Sequence, residues 1–585
     1  MNIQGESLAE LLNGPARGTD TPWVLGGPLA STYRDTILQP KTAKDHILHD
    51  GLDFLVWGEA TPWIAPLNAA LEAQPQHSAA TPRLFIPERV LEEPDGSSKY
   101  LRDETIFKTL ENVPVPRWDL LDVGHYRSMM LQTTAGCRFR CTFCDIVQFN
   151  GGFARAKDQA AVSRELQAIY DTGFRGGVFT VDDNFVSEPA AMESILKAMI
   201  EFQRMHAYPF TFFTQASIDL GKESLAHLLP LMKQAGFMAV FLGIESPDPD
   251  ALKAMNKIQN LKTVPQQTIA RLQRQGIEVY AGFIFGSDAD TPQTADSIVD
   301  FVKDNGILSA MTGKLTPMPH TPLYVELRRQ GRLIEDGNAS NNIDDTLQYR
   351  PLMGQADLQA GFNHILTSLF NRQAIYERAR GVLERIDMHI FRGNSLNPSQ
   401  GLAAIRSLLV QGFNRGGGYN GAYFKYLKSA FQWDRKLLRE VRGETAQLHQ
   451  FWREMAASAQ SHIELDPQTT QRFSAMLDYA HDALVRYGTH RKLAEIGDFV
   501  EAVRDSLDRG SIALEEAQSV YEAAVDFLQT KGAMFSFPGT NLVKAFELAI
   551  MGLHYETVVG NVLTRSNAAV PPLSATERLD DNKPH

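Results

Sequence analysis

The 585-residue chain reads as an α/β protein: a partial (β/α)6 barrel, preceded by an incomplete Rossmann-like segment and followed by an all-α C-terminal domain. Three observations predict this. Six short apolar strand candidates alternate with amphipathic helical stretches between residues 121 and 333. Only two clear strands precede them, and strand signals all but vanish after Leu333. Three cysteines, Cys137, Cys141 and Cys144, fall inside eight residues directly behind the first of the six strands.

Composition bounds what such a protein can do. With 43% hydrophobic and 22% charged residues, the chain has the apolar material for a large core, which excludes wholesale disorder. A net charge of −12 repels a phosphate backbone, so no nucleic-acid partner is expected. No apolar run reaches the roughly 18 to 20 residues that span a bilayer. The opening MNIQGESLAELLNG lacks the basic-then-apolar layout of a signal peptide, so a cytoplasmic location is expected. Three clustered cysteines and no others exclude a disulfide framework.

In chain order, residues 1–75 carry a helix near Ser7 to Leu12 and strands Trp23 to Leu25, closed by Gly26-Gly27, and Phe54 to Trp57, closed by Gly58-Glu59. Two strands are too few for a doubly wound domain, so this unit is expected to be incomplete. Residues 76–120 are rich in Pro and charge, with PDGSS at Pro94 to Ser98, and read as a linker. The six barrel strands are expected at Met129 to Gln132, Gly177 to Val181, Phe210 to Thr214, Ala239 to Ile244, Val279 to Phe285 and Leu308 to Leu315. Their chemistry belongs at the strand C-terminal ends. Helix-period stretches such as Asp357 to Glu384 fill 334–565, and the polar, Pro-containing 566–585 reads as a disordered tail.

The cysteine segment runs Gly136-Cys137-Arg138-Phe139-Arg140-Cys141-Thr142-Phe143-Cys144, a CxxxCxxC spacing. Three thiolates on one loop can ligate three irons of a [4Fe-4S] cluster and leave the fourth open to a small molecule. Structural zinc needs a fourth ligand and ordinarily paired CxxC units; His125 is the nearest upstream histidine. Inert thiols would be scattered rather than clustered.

This spacing, with aromatic Phe143 before the last cysteine, resembles the signature of the radical S-adenosylmethionine (SAM) enzymes, and further elements follow in that family's order. The resemblance implies that Cys137, Cys141 and Cys144 hold the cluster and that its open iron chelates SAM. It implies that Asp182 or Asp183, in the Val181 to Phe185 stretch VDDNF, contacts the SAM amino group. A carboxylate suits a cationic ammonium there, although an aspartate after a strand also caps helices. Gln215 and Ser217 after the third strand stand where relatives contact the ribose, and many relatives have Glu at the position of Gln215. Glu245 ends the fourth strand, and Gly282 and Phe283 lie in the fifth; these match the ribose and adenine elements.

More narrowly, PRWDLLD (Pro116 to Asp122), CDI (Cys144 to Ile146), FLGIESPD (Phe241 to Asp248), NKIQN (Asn256 to Asn260), GFIFGSD (Gly282 to Asp288) and TPLY (Thr321 to Tyr324) resemble the cobalamin-binding radical SAM group. The similarity is to its hopanoid C-2 methylase-like members, which carry a helical C-terminal extension. By that resemblance residues 1–75 are the back half of a cobalamin-binding domain, with Gly26 and Gly27 near the cofactor's nucleotide tail. The front half is expected to be missing through a lost or misassigned start, so this form should bind cobalamin weakly. There is no DxHxxG, and His320 stands where glycine is typical before TPLY.

The expected function is generation of a 5′-deoxyadenosyl radical for C–H activation, leading to cobalamin-dependent methylation of an unactivated carbon. A small-molecule substrate and an electron donor such as flavodoxin or ferredoxin are the expected partners. A cobalamin-free rearrangement or oxidation, or a non-catalytic iron-sulfur redox or sensing protein, are the alternatives.

Overall fold

Parallel neighbours cannot be joined by a tight hairpin, so each pair of strands needs a crossover, and the helical stretches between the strand candidates supply it. In the computed structural model, residues 113–150, 152–334 and 347–385 are described. Short segments at 23–25, 54–56, 83–85, 90–92, 98–100, 423–430, 462–464 and 511–513, and isolated positions, are described as well. Six strands, β1 (Ser128–Leu131), β2 (Gly176–Thr180), β3 (Phe210–Ala216), β4 (Phe237–Glu245), β5 (Glu278–Phe285) and β6 (Ala310–Lys314), form one sheet in sequence order. Every neighbouring pair is parallel, and β1 and β6 do not pair among the described residues, which leaves the barrel open.

The strands bury one face against α1 (Gln159–Asp171), α2 (Pro189–Met205), α3 (Leu228–Ala235), α4 (Pro265–Arg274), α5 (Pro292–Asp304) and α6 (Gln355–Phe370). On β5 the period of two puts Val279, Ala281, Phe283 and Phe285 into this core and leaves Tyr280 and Ile284 half-buried on the other face. Phe283 meets Phe301 of α5 edge to face, with centroids 6.0 Å apart. Helix starts follow the local chemistry: Asp158 accepts from Ala161 N at 2.6 Å to cap α1, and Thr291 with Thr294 forms a capping box ahead of Pro292 at α5.

The structure corrects the sequence reading in four places. Arg83–Phe85 pairs parallel with Phe54–Val56, which pairs with Val24–Leu25, so the supposed linker 76–120 contributes a third strand to the N-terminal unit. Three residues beside Pro and charge carry too little periodicity to be read as a strand. PDGSS lies between the antiparallel partners Val90–Glu92 and Ser98–Tyr100. The barrel does not end at Leu333, because Leu358, Phe362, Ile365 and Leu369 of α6 join its core. The C-terminal region is helical but not all-α: His462–Glu464 and Ser511–Ala513 form an antiparallel pair.

The long helix expected from Asp357 to Glu384 is two helices, α6 and α7 (Arg372–Arg385), broken at Asn371, whose Oδ1 accepts from Ala374 N at 3.0 Å. Arg378 of α7 is buried and donates to the carbonyls of Ile307, Leu308 and Leu369, tying α7 to the approach of β6. Gly26, Gly27, Ser7 and 566–585 lie outside the described residues.

Gly361 of α6 lies against β5: a Cβ there would stand 2.7 Å from the ring of Phe285, a fully buried side chain. Alanine in a helix ordinarily gains about 0.5 to 1 kcal/mol over glycine. Here overpacking outweighs that, so Gly361→Ala is expected to cost about 1 to 3 kcal/mol in urea denaturation. Unchanged or higher stability would show that the α6–β5 contact yields.

Candidate active site

The segment behind β1 makes a brief ladder, Thr134–Ala135 with Arg155–Ala156, and the cysteines lie in the long loop that this ladder closes. What holds the loop is the turn after β2. Val181 N donates to Leu131 O at 2.8 Å. The Asp182 carboxylate accepts from Thr133 N and Thr134 N, each at 2.7 Å, on one oxygen and from the Thr133 hydroxyl on the other. Asp183 Oδ2 accepts from Gly136 N at 2.7 Å and from Asn150 Nδ2 at 3.0 Å. Asn184 donates Nδ2 to Cys137 Sγ at 3.7 Å and accepts from Ser217 N at 2.8 Å. Three consecutive side chains thus grip three consecutive parts of the cysteine loop. Hydrogen bonds from backbone N–H to a carboxylate contribute about 1.5 to 3 kcal/mol each. Gly136 has to be glycine: its φ is +87°, and a Cβ would stand 2.2 Å from Phe153 O.

From the other side the loop is held by the segment after β4. Thr142 N donates to Met255 O at 3.0 Å, Asn256 Nδ2 to Arg140 O at 2.7 Å, and Gln259 Nε2 to Cys141 Sγ at 3.8 Å. Asn260 ties this segment to the end of β4 through the carbonyls of Gly243 and Ile244, at 2.9 and 2.8 Å. Lys257 Nζ meets Glu245 Oε1 at 2.6 Å in a buried pair, with the Phe143 ring centroid 5.9 Å from the ammonium. Glu245 is held at φ 63°, an unusual conformation for a non-glycine residue that the ion pair helps to sustain.

Burial dominates the electrostatics. It pushes the Asp182 carboxyl up to about 7 against its three donors, and raises Asp183 as well. Burial pushes the Cys144 thiol up to about 12, and raises Cys141 despite Lys257 and Gln259. Free thiols of that kind are poor nucleophiles, whereas a coordinating metal deprotonates a thiol outright. Burial works against the Lys257 ammonium, but Glu245 and the two cysteines outweigh it and hold its pKa above the ordinary value.

The predicted residues divide on these facts. The structure brings Cys137, Cys141, Cys144, Asp182, Asp183, Gln215, Ser217 and Glu245 to the strand ends. Of the two candidate aspartates, Asp182 is fully buried with both carboxylate oxygens engaged by Thr133 and Thr134, the arrangement of a brace. The hydrogen bonds from Gly136 and Asn150 to Asp183 both fall on Oδ2. Gln215 donates to Asp182 O at 2.8 Å, and Glu245 faces Lys257.

Gly282 makes room for Phe241, whose ring would lie 2.7 Å from an added Cβ, and the Phe283 side chain points into the helix-facing core. Phe143 packs beside Leu315, Leu327 and Tyr349. His320 adopts φ 65°, which explains why glycine suits that turn. Gly26 and Gly27 lie outside the described residues. Sequence reasoning gave no role to Thr133, Asn184, Lys257 and Gln259. NKIQN was visible as a pattern, but its contact with the cysteines is made across more than 100 residues of chain.

The donor set fits a cluster and SAM. The sulfurs of Cys137 and Cys141 each face a side-chain amide N–H, from Asn184 and Gln259 respectively. The Ser217 hydroxyl at the end of β3 is buried with no partner among the described residues, a group that a bound ribose or carboxylate would satisfy. The radical SAM superfamily model matches residues 131–302, the stretch containing all of these groups. The barrel is a radical SAM domain. A domain of unknown function, DUF4070, matches 321–464 beyond it.

Among similar proteins, an uncharacterized methyltransferase of Synechocystis sp. is 30% identical over 65% of this chain and 64% of its own length, just under two thirds. The hopanoid C-2 methylase of Rhodopseudomonas palustris is 28% identical over 77% of each chain. A solved structure of the radical SAM methyltransferase TsrM from Kitasatospora setae, with cobalamin and a [4Fe-4S] cluster bound, aligns with a TM-score of 0.44 at 18% identity. That alignment covers 73% of this chain and 84% of that one. No helix among the described residues is long and apolar enough to cross a membrane.

The Glu245–Lys257 pair in this domain invites a direct test. Lys257→Met strands a buried carboxylate and is expected to destabilise the protein by about 3 to 5 kcal/mol, while adding Glu245→Gln recovers most of that loss. Equal stability of the single and double variants in chemical denaturation would show that the pair is solvated rather than buried.

Proposed function

We propose that this protein uses its radical SAM domain to activate a C–H bond of an apolar small molecule and to methylate the carbon, with cobalamin as methyl carrier. The carrying observation is the cysteine loop itself: three thiols within eight residues, two of the sulfurs facing side-chain amide N–H groups and the loop clamped from two sides. When bound, the cluster, SAM and cobalamin supply a 5′-deoxyadenosyl radical and a transferable methyl group.

The chain's own residues position and shield. Cys137, Cys141 and Cys144 hold the cluster, and Asp183 and Ser217 stand at the strand ends where the SAM ammonium and ribose would be met. Part of the inner face of the barrel is apolar. Phe179 and Phe213 stack at 4.6 Å and 13°, Met130 lies beside Phe179 in register, and Met311 beside Gly282. Met130 and Met311 are 54% and 60% exposed, uncommon for methionine on a strand, and they give an aliphatic substrate a surface without a competing charge. Excluding water from such a space keeps a carbon radical from side reactions. The hopanoid in the name of one relative is the first substrate to test. A flavodoxin or ferredoxin as electron donor, and a cytoplasmic location, complete this reading.

Anaerobically reconstituted protein, reduced with dithionite and given SAM, is expected to bind iron and sulfide and to release 5′-deoxyadenosine, with Cys141→Ala at background in both assays. With hydroxocobalamin, a hopanoid and methyl-deuterated SAM, mass spectrometry should find the label on carbon. Stoichiometric zinc with no iron uptake would overturn the cluster, and 5′-deoxyadenosine with no methyl transfer would overturn the methylase reading in favour of a cobalamin-free reaction.

A further inference from the structure

Helix Ile258–Lys262 turns Gln259 inward, where the side chain is almost wholly buried and its Nε2 lies 3.8 Å from Cys141 Sγ. Its Oε1 is buried with no partner among the described residues. Packing alone does not account for an amide here, since leucine would fill similar volume without stranding an oxygen. Nor does loop docking need it. The Thr142 to Met255 and Asn256 to Arg140 bonds already join the loop to this segment, and Asn260 joins the segment to β4. Lys257, paired with Glu245 at 2.6 Å, acts on the sulfur through its charge, whereas the Gln259 N–H is the side-chain donor within hydrogen-bond reach of Cys141.

We infer that Gln259 is a positioning residue that sets the reduction potential of the cluster by aiming its amide N–H at the Cys141 sulfur. This rests on the reading of the loop as a [4Fe-4S] site. A coordinated thiolate has no proton to give, so the amide oxygen gains nothing by facing it, and the N–H orientation is the favourable one. Hydrogen bonds to cluster sulfurs are among the determinants of cluster potential. The reduced state carries one more electron on the same atoms, so an N–H on the sulfur favours it. Removing the donor must make the one-electron reduction harder.

The test is an EPR-monitored redox titration of anaerobically reconstituted wild type and Gln259→Leu without SAM. At the potential where the wild type is half reduced, the variant is expected to show a reduced-to-oxidised ratio about tenfold lower, equivalent to about 59 mV for a one-electron couple, at unchanged iron content. Full iron with an unshifted potential would overturn the inference while leaving the cluster reading intact; a wild type without iron would overturn that reading instead. If Gln259→Leu fails to fold or load, hyperfine spectroscopy of the reduced wild type decides. Side-chain 15N-glutamine labelling should give a weak nitrogen coupling to the cluster, and no coupling in a fully loaded sample overturns the inference.

Discussion

The site depends on a short stretch of chain, Val181 to Asn184, that grips the cysteine loop with consecutive groups. A long loop carrying three cysteines has many conformations, and presenting all three sulfurs to one cluster fixes most of its backbone at a cost of roughly 1 to 2 kcal/mol per residue. Asp182, Asp183 and Asn184 offset that cost through bonds to Thr133, Thr134, Gly136 and Cys137. Because β2 is hydrogen-bonded on both sides, to β1 and to β3, the turn at its end is anchored to the core beneath it. The same turn receives Gln215 from β3 and reaches Ser217, so the end of β3 and the cysteine loop share one support.

The second clamp adds charge to the same logic. Lys257 and Glu245 are buried together beside Cys141, an arrangement whose desolvation is offset only while both partners remain. Beside that pair, the neutral amides of Asn184 and Gln259 lie within hydrogen-bond reach of Cys137 and Cys141. Glu245 sits in a left-handed conformation and Gly136 in another, so both clamps contain backbone that an ordinary strand or helix would not adopt.

Much of this was legible in the sequence. All six barrel strands lie where apolar runs bounded by Gly, Pro and charge placed them, because parallel strands under helical crossovers carry apolar residues on both faces. The cysteines were visible from spacing alone. What stayed hidden depends on distance in the chain. Nothing in VDDNF distinguishes an aspartate facing a ligand from one turned into Thr133 and Thr134, 49 and 48 positions away. The same holds for Gln259 and Cys141, 118 positions apart. Phe283 and Gly282 illustrate the converse: a glycine-rich strand end reads as a ligand approach, yet here the glycine admits Phe241 and the phenylalanine fills the core. Strands of three residues, such as Arg83–Phe85, are too short for any pattern to separate them from a connector.

The central claim is that the carboxylate of Asp182 organises the cysteine loop rather than binding SAM, and iron content tests it most directly. Asp182→Ala, reconstituted anaerobically beside wild type and checked by far-UV circular dichroism, is predicted to keep its secondary structure and lose most of its iron. A variant that loads full iron with an unchanged cluster spectrum, yet binds SAM far more weakly, would contradict the account and return Asp182 to the cofactor.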